Sequence, residues 1–243
     1  MRRSLIAYTL ALFGLFVLLY MSIAIFFSAF AHAADFRTHI AVVDTGVNTP
    51  WQYMNYLCDD ESHLDLTGKG FEDKYGHGTS IAGILAKSID NKKQCLQIIK
   101  WVHDEVDLDH FNKMDTSEAS AYMGKAMAQV LKYKAKYLNL SYGGPYELLG
   151  EYKGIIELLK AGTIIAVAAG NNSENLDIAC KYYPACYNLK HKNYHVVGNL
   201  GSNSTNFGKR VTDWANGNEV QAWGTKMTGT SQATAVYLGG LIK

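Results

Sequence analysis

Ile40-Ala41-Val42-Val43-Asp44-Thr45-Gly46 is a run of apolar, mostly β-branched residues that stops at a carboxylate and a glycine. A strand with one wet face alternates polar and apolar residues. An unbroken apolar run instead marks a strand covered on both faces, as in the centre of a parallel sheet. Residues 163–169 read the same way, stopping at Gly170-Asn171-Asn172, and residues 97–102, 137–141 and 194–197 add further strands. A short strand is also expected at 56–58, followed by a polar, glycine-containing loop over 59–75. Between the strands the spacing turns helical. Residues 76–88 read as a buried helix opened by His77, and 116–134 carry Ala119, Met123, Ala126 and Val130 at helical intervals. Residues 148–160 form a helix stopped by Gly162, and 232–242 begin another. The alternation predicts an α/β fold, a parallel sheet flanked by helices on both faces. Functional groups in such folds sit beyond the carboxyl ends of the strands, where Asp44 and Asn171 both lie.

The chain has 243 residues, 48% of them apolar, enough for one core and one domain. Its formal charge is +1, so no electrostatic case exists for nucleic acid. Arg2 and Arg3 precede an uncharged run over 5–30, and Ala31-His32-Ala33 fits a signal-peptidase site. The run of 26 residues is longer than the roughly 7–15 of a usual signal core and long enough to span a bilayer. Residues 1–33 are therefore read as a signal peptide or an N-terminal membrane anchor, with cleavage before Ala34 slightly favoured. Either way residues 34–243 are placed outside the cytoplasm, because paired arginines stay inside. Removing the first 33 residues takes away both arginines and no acid, which brings the formal charge to −1. Cys58, Cys95, Cys180 and Cys186 all lie in the exported part, where an even count favours disulfides. Cys180 and Cys186 are close enough for a local loop, which leaves Cys58 for Cys95; four buried thiols are the alternative.

Three motifs carry chemistry. The first is the run ending in Asp44, the second Gly76-His77-Gly78-Thr79-Ser80-Ile81-Ala82-Gly83, and the third Gly229-Thr230-Ser231-Gln232-Ala233. Taken singly, each has a bland reading: a strand-end carboxylate, a satisfied core histidine, a helix N-cap. Together, and in the order Asp, His, Ser, they match one of the chain orders of a serine hydrolase triad. A serine hydroxyl is a poor nucleophile at neutral pH and needs a base, itself held by a third group. Asp-Thr-Gly also occurs in aspartic proteases, but those need a second such loop or a homodimer in an all-β fold.

From about Ile40 onward the chain resembles the subtilisin-like serine proteases, or subtilases. The resemblance implies a subtilisin-like fold and peptide-bond hydrolysis, with Ser231 as nucleophile, His77 as base and Asp44 orienting the imidazole. Ala168-Ala169-Gly170-Asn171 resembles the family's oxyanion motif, which implies the Asn171 side chain and the Ser231 backbone N–H as donors. Leu140-Ser141-Tyr142-Gly143-Gly144 resembles the segment that pairs with an extended substrate and lines the first pocket. Tyr182-Tyr183-Pro184-Ala185 resembles the loop bordering that pocket, with a cis bond before the proline. Tyr142 and Tyr183 suggest a pocket for an apolar residue. A Cys180–Cys186 bridge would clamp the loop.

The chain also departs from the family pattern. Only about ten residues separate Ala33 from Asp44, which leads to the expectation of a minimal member without prodomain. Ala235 stands where a proline usually follows the nucleophile, and only residues 232–243 follow Ser231. Asp59, Asp60 and Glu61 read as a solvated turn. No carboxylate cluster has calcium-loop spacing, so no metal or cofactor is expected and the family's structural calcium is not carried over. The expected partner is a protein or peptide substrate, reached by a monomer that is secreted, periplasmic or attached to the membrane through residues 5–30. Two alternatives stand beside an exported endopeptidase: a non-catalytic binding protein of the same fold, and an anchored processing protease with one narrow substrate.

Overall fold

The computed structural model describes residues 35–242, and the chain from Arg37 onward forms one compact unit. The targeting segment expected over 1–33 lies outside the described residues. Among the described residues no helix is long and apolar enough to cross a membrane.

The strand that opened the reading is β1 (Thr38–Asp44), buried from His39 onward. It lies inside a seven-stranded sheet with β2 (Leu64–Asp65), β3 (Gln94–Lys100), β4 (Tyr137–Leu140), β5 (Ile164–Ala168), β6 (Tyr194–Asn199) and β7 (Asp213–Ala215). Their order is β2-β3-β1-β4-β5-β6-β7, and every pair is parallel. Side chains alternate across β1, and each face has its own core. Ile40 and Val42 face α1 (His77–Ala86) and α5 (Thr230–Leu241) through Ile81, Leu85, Ala233 and Leu238. Ala41 and Val43 face α3 (Thr116–Lys132) and α4 (Leu149–Lys160) through Met123, Val130 and Ile155. Burying one Val or Ile contributes about 1.5–3 kcal/mol. The apolar run therefore makes sense only as a strand covered twice.

The register aligns the strand ends. Asp44 pairs with Lys100, Val43 with Leu140, and Leu140 with Val167. Asp44 and the segments beginning at Ser141 and Ala169 thus emerge side by side at one edge of the sheet.

Some elements differ from expectation. Residues 56–58 are not a strand: a 3-10 helix covers Trp51–Tyr56, and Leu57 makes a single bridge to Leu96. Residues 59–75 hold the 3-10 turn Asp60–Ser62 and β2, with Asp59, Asp60 and Glu61 exposed as expected. β3 starts three residues before the expected 97. Helix α2 (Glu105–Lys113) was not anticipated because it buries none of its residues. Its start rests on the Asp104 carboxylate accepting from Asp107 N, a local cap rather than an apolar stripe. Also unanticipated were β7 and the hairpin of β8 (Val220–Ala222) and β9 (Thr225–Met227). The hairpin turns through Trp223 and Gly224, both at positive φ, as a two-residue turn of this hand requires.

Both expected bridges are present, Cys58–Cys95 and Cys180–Cys186. The first fastens the chain after Trp51–Tyr56 to β3 and closes a sequence separation of 37. Restricting a loop of that size in the unfolded chain stabilises by about 4 kcal/mol. Replacing Cys58 and Cys95 together by alanine should lower the thermal midpoint accordingly. An unchanged melting curve would show that the bridge adds nothing.

Candidate active site

Asp44 is the last residue of β1 and is 3% exposed. Its Oδ1 accepts from Thr45 N at 2.8 Å and faces His77 Nδ1 at 2.7 Å. His77 opens α1, directly after Gly76, whose φ of 75° is a turn that glycine adopts freely. The approach of α1 to β1 is equally demanding. A Cβ on Gly78 would lie 2.2 Å from Gly46 O and 3.2 Å from Asp44 Cβ.

A second carboxylate, buried Asp73, ties these parts together. Its Oδ1 accepts from Thr45 Oγ1 (2.7 Å) and Gly76 N (2.9 Å). Its Oδ2 accepts from Thr79 N (2.8 Å) and Thr79 Oγ1 (2.6 Å). Thr45 Oγ1 in turn accepts from Gly78 N at 2.9 Å. Burial alone would lower the His77 pKa. The Asp44 charge and hydrogen bond, with Asp73 behind them, outweigh it and hold the imidazole above the ordinary histidine value.

Lys100 completes this half of the site. It is fully buried, and its Nζ donates to Gly70 O at 2.8 Å and Glu72 O at 2.5 Å and lies 2.6 Å from His103 Nδ1. Desolvation pushes its pKa below the usual lysine range, against the pull of Asp65, Asp73 and Glu72. The ammonium pins the loop that delivers Asp73. Neither Asp73 nor Lys100 was picked out from the sequence, although a lysine in a strand with no other charged residue was a signal.

Ser231 occupies the first turn of α5, half-buried, between the ends of β4 and β5. It is locked to Ser141 from both sides. Ser231 Oγ donates to Ser141 O, and Ser141 Oγ donates to Ser231 O, each at 3.0 Å. No hydrogen bond joins Ser231 to His77 in this arrangement of the described residues. On the other flank Gly170 N donates to Thr230 Oγ1 at 3.2 Å, and Thr230 N donates to Asn171 Oδ1 at 3.0 Å. Asn171 is exposed while Ala168, Ala169 and Gly170 are buried. Asn206, missed in the sequence, shapes this loop. Its Nδ2 donates to Ala169 O, and its Oδ1 accepts from Asn172 N and Glu174 N.

The segments suggested for substrate binding lie next to Ser231, with side chains arranged differently from expectation. Gly144 pairs through its backbone with Tyr183, N–H to carbonyl in both directions, at 2.9 and 2.8 Å. The Tyr183–Pro184 bond is cis. The Tyr142 side chain turns into the core, where its hydroxyl donates to Glu151 Oε1 at 2.6 Å and its ring packs on Trp101. Tyr187 donates to the other Glu151 oxygen, and desolvation raises the Glu151 pKa. Tyr183 packs its ring against Tyr187. The ring that reaches the glycines of both segments belongs to Tyr182 instead.

A parallel sheet with Asp44, His77 and Ser231 at its carboxyl edge has the architecture of a hydrolase fold, and the comparisons narrow it. The chain belongs to the subtilase family, whose family model matches residues 37–239. It is 24% identical over 190 residues to an intracellular serine protease of Paenibacillus polymyxa, a match covering 74% of this chain and 53% of that protein. It is 30% identical over 226 residues to a cell wall-associated protease of Bacillus subtilis (strain 168), covering 84% of this chain and 23% of that protein. The chain thus spans about half the length of the first relative and under a quarter of the second. Among solved structures, a lanthipeptide protease shares the fold with a TM-score of 0.64 at 18% identity, over 83% of this chain and 71% of that one. The nisin leader peptidase NisP from Lactococcus lactis does so with a TM-score of 0.60 at 16% identity, over 88% and 79%.

Proposed function

We propose that the protein is an exported serine endopeptidase that cleaves peptide bonds through an acyl-enzyme. The observation that carries this reading is the 2.7 Å contact between buried Asp44 and His77 Nδ1. It keeps the proton on Nδ1 and leaves Nε2 as the base. Ser231 Oγ attacks the scissile carbonyl carbon while its proton passes to His77 Nε2. His77 then gives that proton to the leaving amine as the C–N bond breaks, and water repeats the sequence to release the acyl group. The Asn171 oxygen is engaged by Thr230 N, which leaves its amide N–H groups for the developing oxyanion beside Ser231 N–H. No step of this chemistry calls on a metal or cofactor. Two disulfides support the export reading, since such bridges persist in oxidising compartments.

The Ser231–Ser141 hydrogen bond favours a second reading, a binding protein of the same fold with an idle serine. In the endopeptidase the hydroxyl exchanges that bond for one to His77 when substrate arrives, a tightening common at apo sites. A small fluorophosphonate separates the two. It should label native protein at Ser231 and leave folded Ser231→Ala untouched. Native protein that resists labelling is the binding protein.

A further inference from the structure

Beside Ser231, the segments that continue β4 and β5 leave the sheet carrying glycines, Gly143 on one and Gly170 on the other. Parallel neighbours in a sheet run about 4.8 Å apart, so a gap between such segments admits a side chain only if both walls are bare. Here one protein side chain lies against both. A Cβ on Gly143 would lie 2.3 Å from Tyr182 Cε1 and Cζ, and a Cβ on Gly170 would lie 3.0 Å from Tyr182 Cζ and 3.1 Å from Cδ1. No real Cβ tolerates the first of these contacts, so the bare wall at Gly143 accommodates this ring.

The ring is fixed from behind. Tyr182 N donates to Cys186 Sγ at 3.1 Å, Cys186 N donates to Tyr182 O at 3.0 Å, and the Cys180–Cys186 bridge closes the loop around it. The next residue, Tyr183, is held to Gly144 by its two backbone hydrogen bonds. The Tyr182 hydroxyl has no hydrogen-bond partner among the described residues, so packing positions the ring rather than a polar contact. Burial pushes its pKa up to about 12.

An acyl group on Ser231 Oγ with its oxygen toward Asn171 directs the side chain of the attacked residue into this gap. Resting on the endopeptidase reading, the geometry points to Tyr182 as the specificity-determining residue: it fills the first pocket and restricts the residue before the scissile bond to glycine or alanine. The apolar pocket suggested by Tyr142 and Tyr183 is thus already occupied from within. A pocket that differs by one methylene discriminates about 10–200-fold, and a whole aromatic ring in the way does at least as much.

Three probes test this on the full exported protein. A small fluorophosphonate, which carries no side chain for the pocket, should label wild type, and its rate on each variant gives the reactivity of the nucleophile against which the peptidyl probes are read. A peptidyl phosphonate with alanine next to the phosphorus should label wild type about 100-fold faster than one with phenylalanine there. Tyr182→Phe should keep that preference, because the ring remains. Tyr182→Ala should gain about 100-fold with the phenylalanine probe. Wild type reacting equally with both peptidyl probes overturns the proposal without any variant. So does a Tyr182→Ala protein that takes the fluorophosphonate and still rejects phenylalanine. Failure of the fluorophosphonate on wild type brings down the endopeptidase reading itself, a result distinct from the other two.

Discussion

Asp44→Ala is expected to lower kcat by about 10⁴ at neutral pH, the size of loss met when a triad carboxylate is removed and nucleophile and base are left in place. The carboxylate is not optimised for stability, since its Oδ2 is buried without a hydrogen-bond partner. Its Oδ1 takes both donors, Thr45 N and His77 Nδ1. What Asp44 supplies is charge beside the imidazole, and that charge is the largest influence raising the His77 pKa. The base works only when neutral, so activity should climb with pH through a midpoint above 6.5 in the wild type. Asp44→Ala should move that midpoint down as well as lowering the plateau. Stability carries the opposite sign. A histidine pKa raised on folding contributes stability that is fully present below the unfolded value and lost as pH rises through the folded one. The wild type should therefore shed this contribution on going above pH 6.5, and the variant should not. Removing the carboxylate also leaves Thr45 N–H buried without a partner, at about 1–3 kcal/mol. A pH–rate profile with a peptide substrate, beside melts at the same pH values, reads both effects. An unchanged profile midpoint would mean that Asp44 does not tune His77.

The parts legible in the sequence share one physical property: their burial repeats with the period of the element, on both faces of the central strands and on one face of the amphipathic helices. β1, β4 and β5 lie between two helix layers, so apolar residues dominate them, with Asn139 the one polar residue inside β4 and none inside β5. α1, α3 and α4 each present a packed face. The hidden parts depend on partners far away in the chain. β7 is only Asp213–Ala215, held at the sheet edge by pairing with β6. The β8–β9 hairpin bends at Trp223, an unusual residue for positive φ. That ring is placed by stacking on Tyr53 with centroids 5.4 Å apart, a contact no local pattern announces. The site divides in the same way. Asp44, His77 and Ser231 stand in motifs whose small neighbours are visible in the chain. Tyr182 could not be told from Tyr183 as the residue facing Gly143, because that depends on how a short bridged loop folds back. Asp73 looked like one more acid in a polar loop, and only its four converging donors set it apart.

Those four donors make Asp73→Asn the most informative conservative change outside the proposed triad. An asparagine of the same shape can point its oxygen at only one pair. If the oxygen faces Thr45 Oγ1 and Gly76 N, the amide N–H groups confront Thr79 N. If it is flipped, they confront Gly76 N. A threonine hydroxyl can reverse its role and accept, but a backbone N–H cannot. Either orientation therefore leaves one buried N–H facing another donor, at about 1–3 kcal/mol, and weakens bonds that had been made to a charged acceptor. The total should come to about 3 kcal/mol, or roughly 6–12 °C in the thermal midpoint for a domain of this size. Asp73 also helps to raise the His77 pKa, so its neutral replacement should move the midpoint of the pH–rate profile downward, by less than Asp44→Ala does. A purely structural role would lower the melting temperature and leave that midpoint where it was. Finding both unchanged would show that the carboxylate neither holds the start of α1 nor acts on the base.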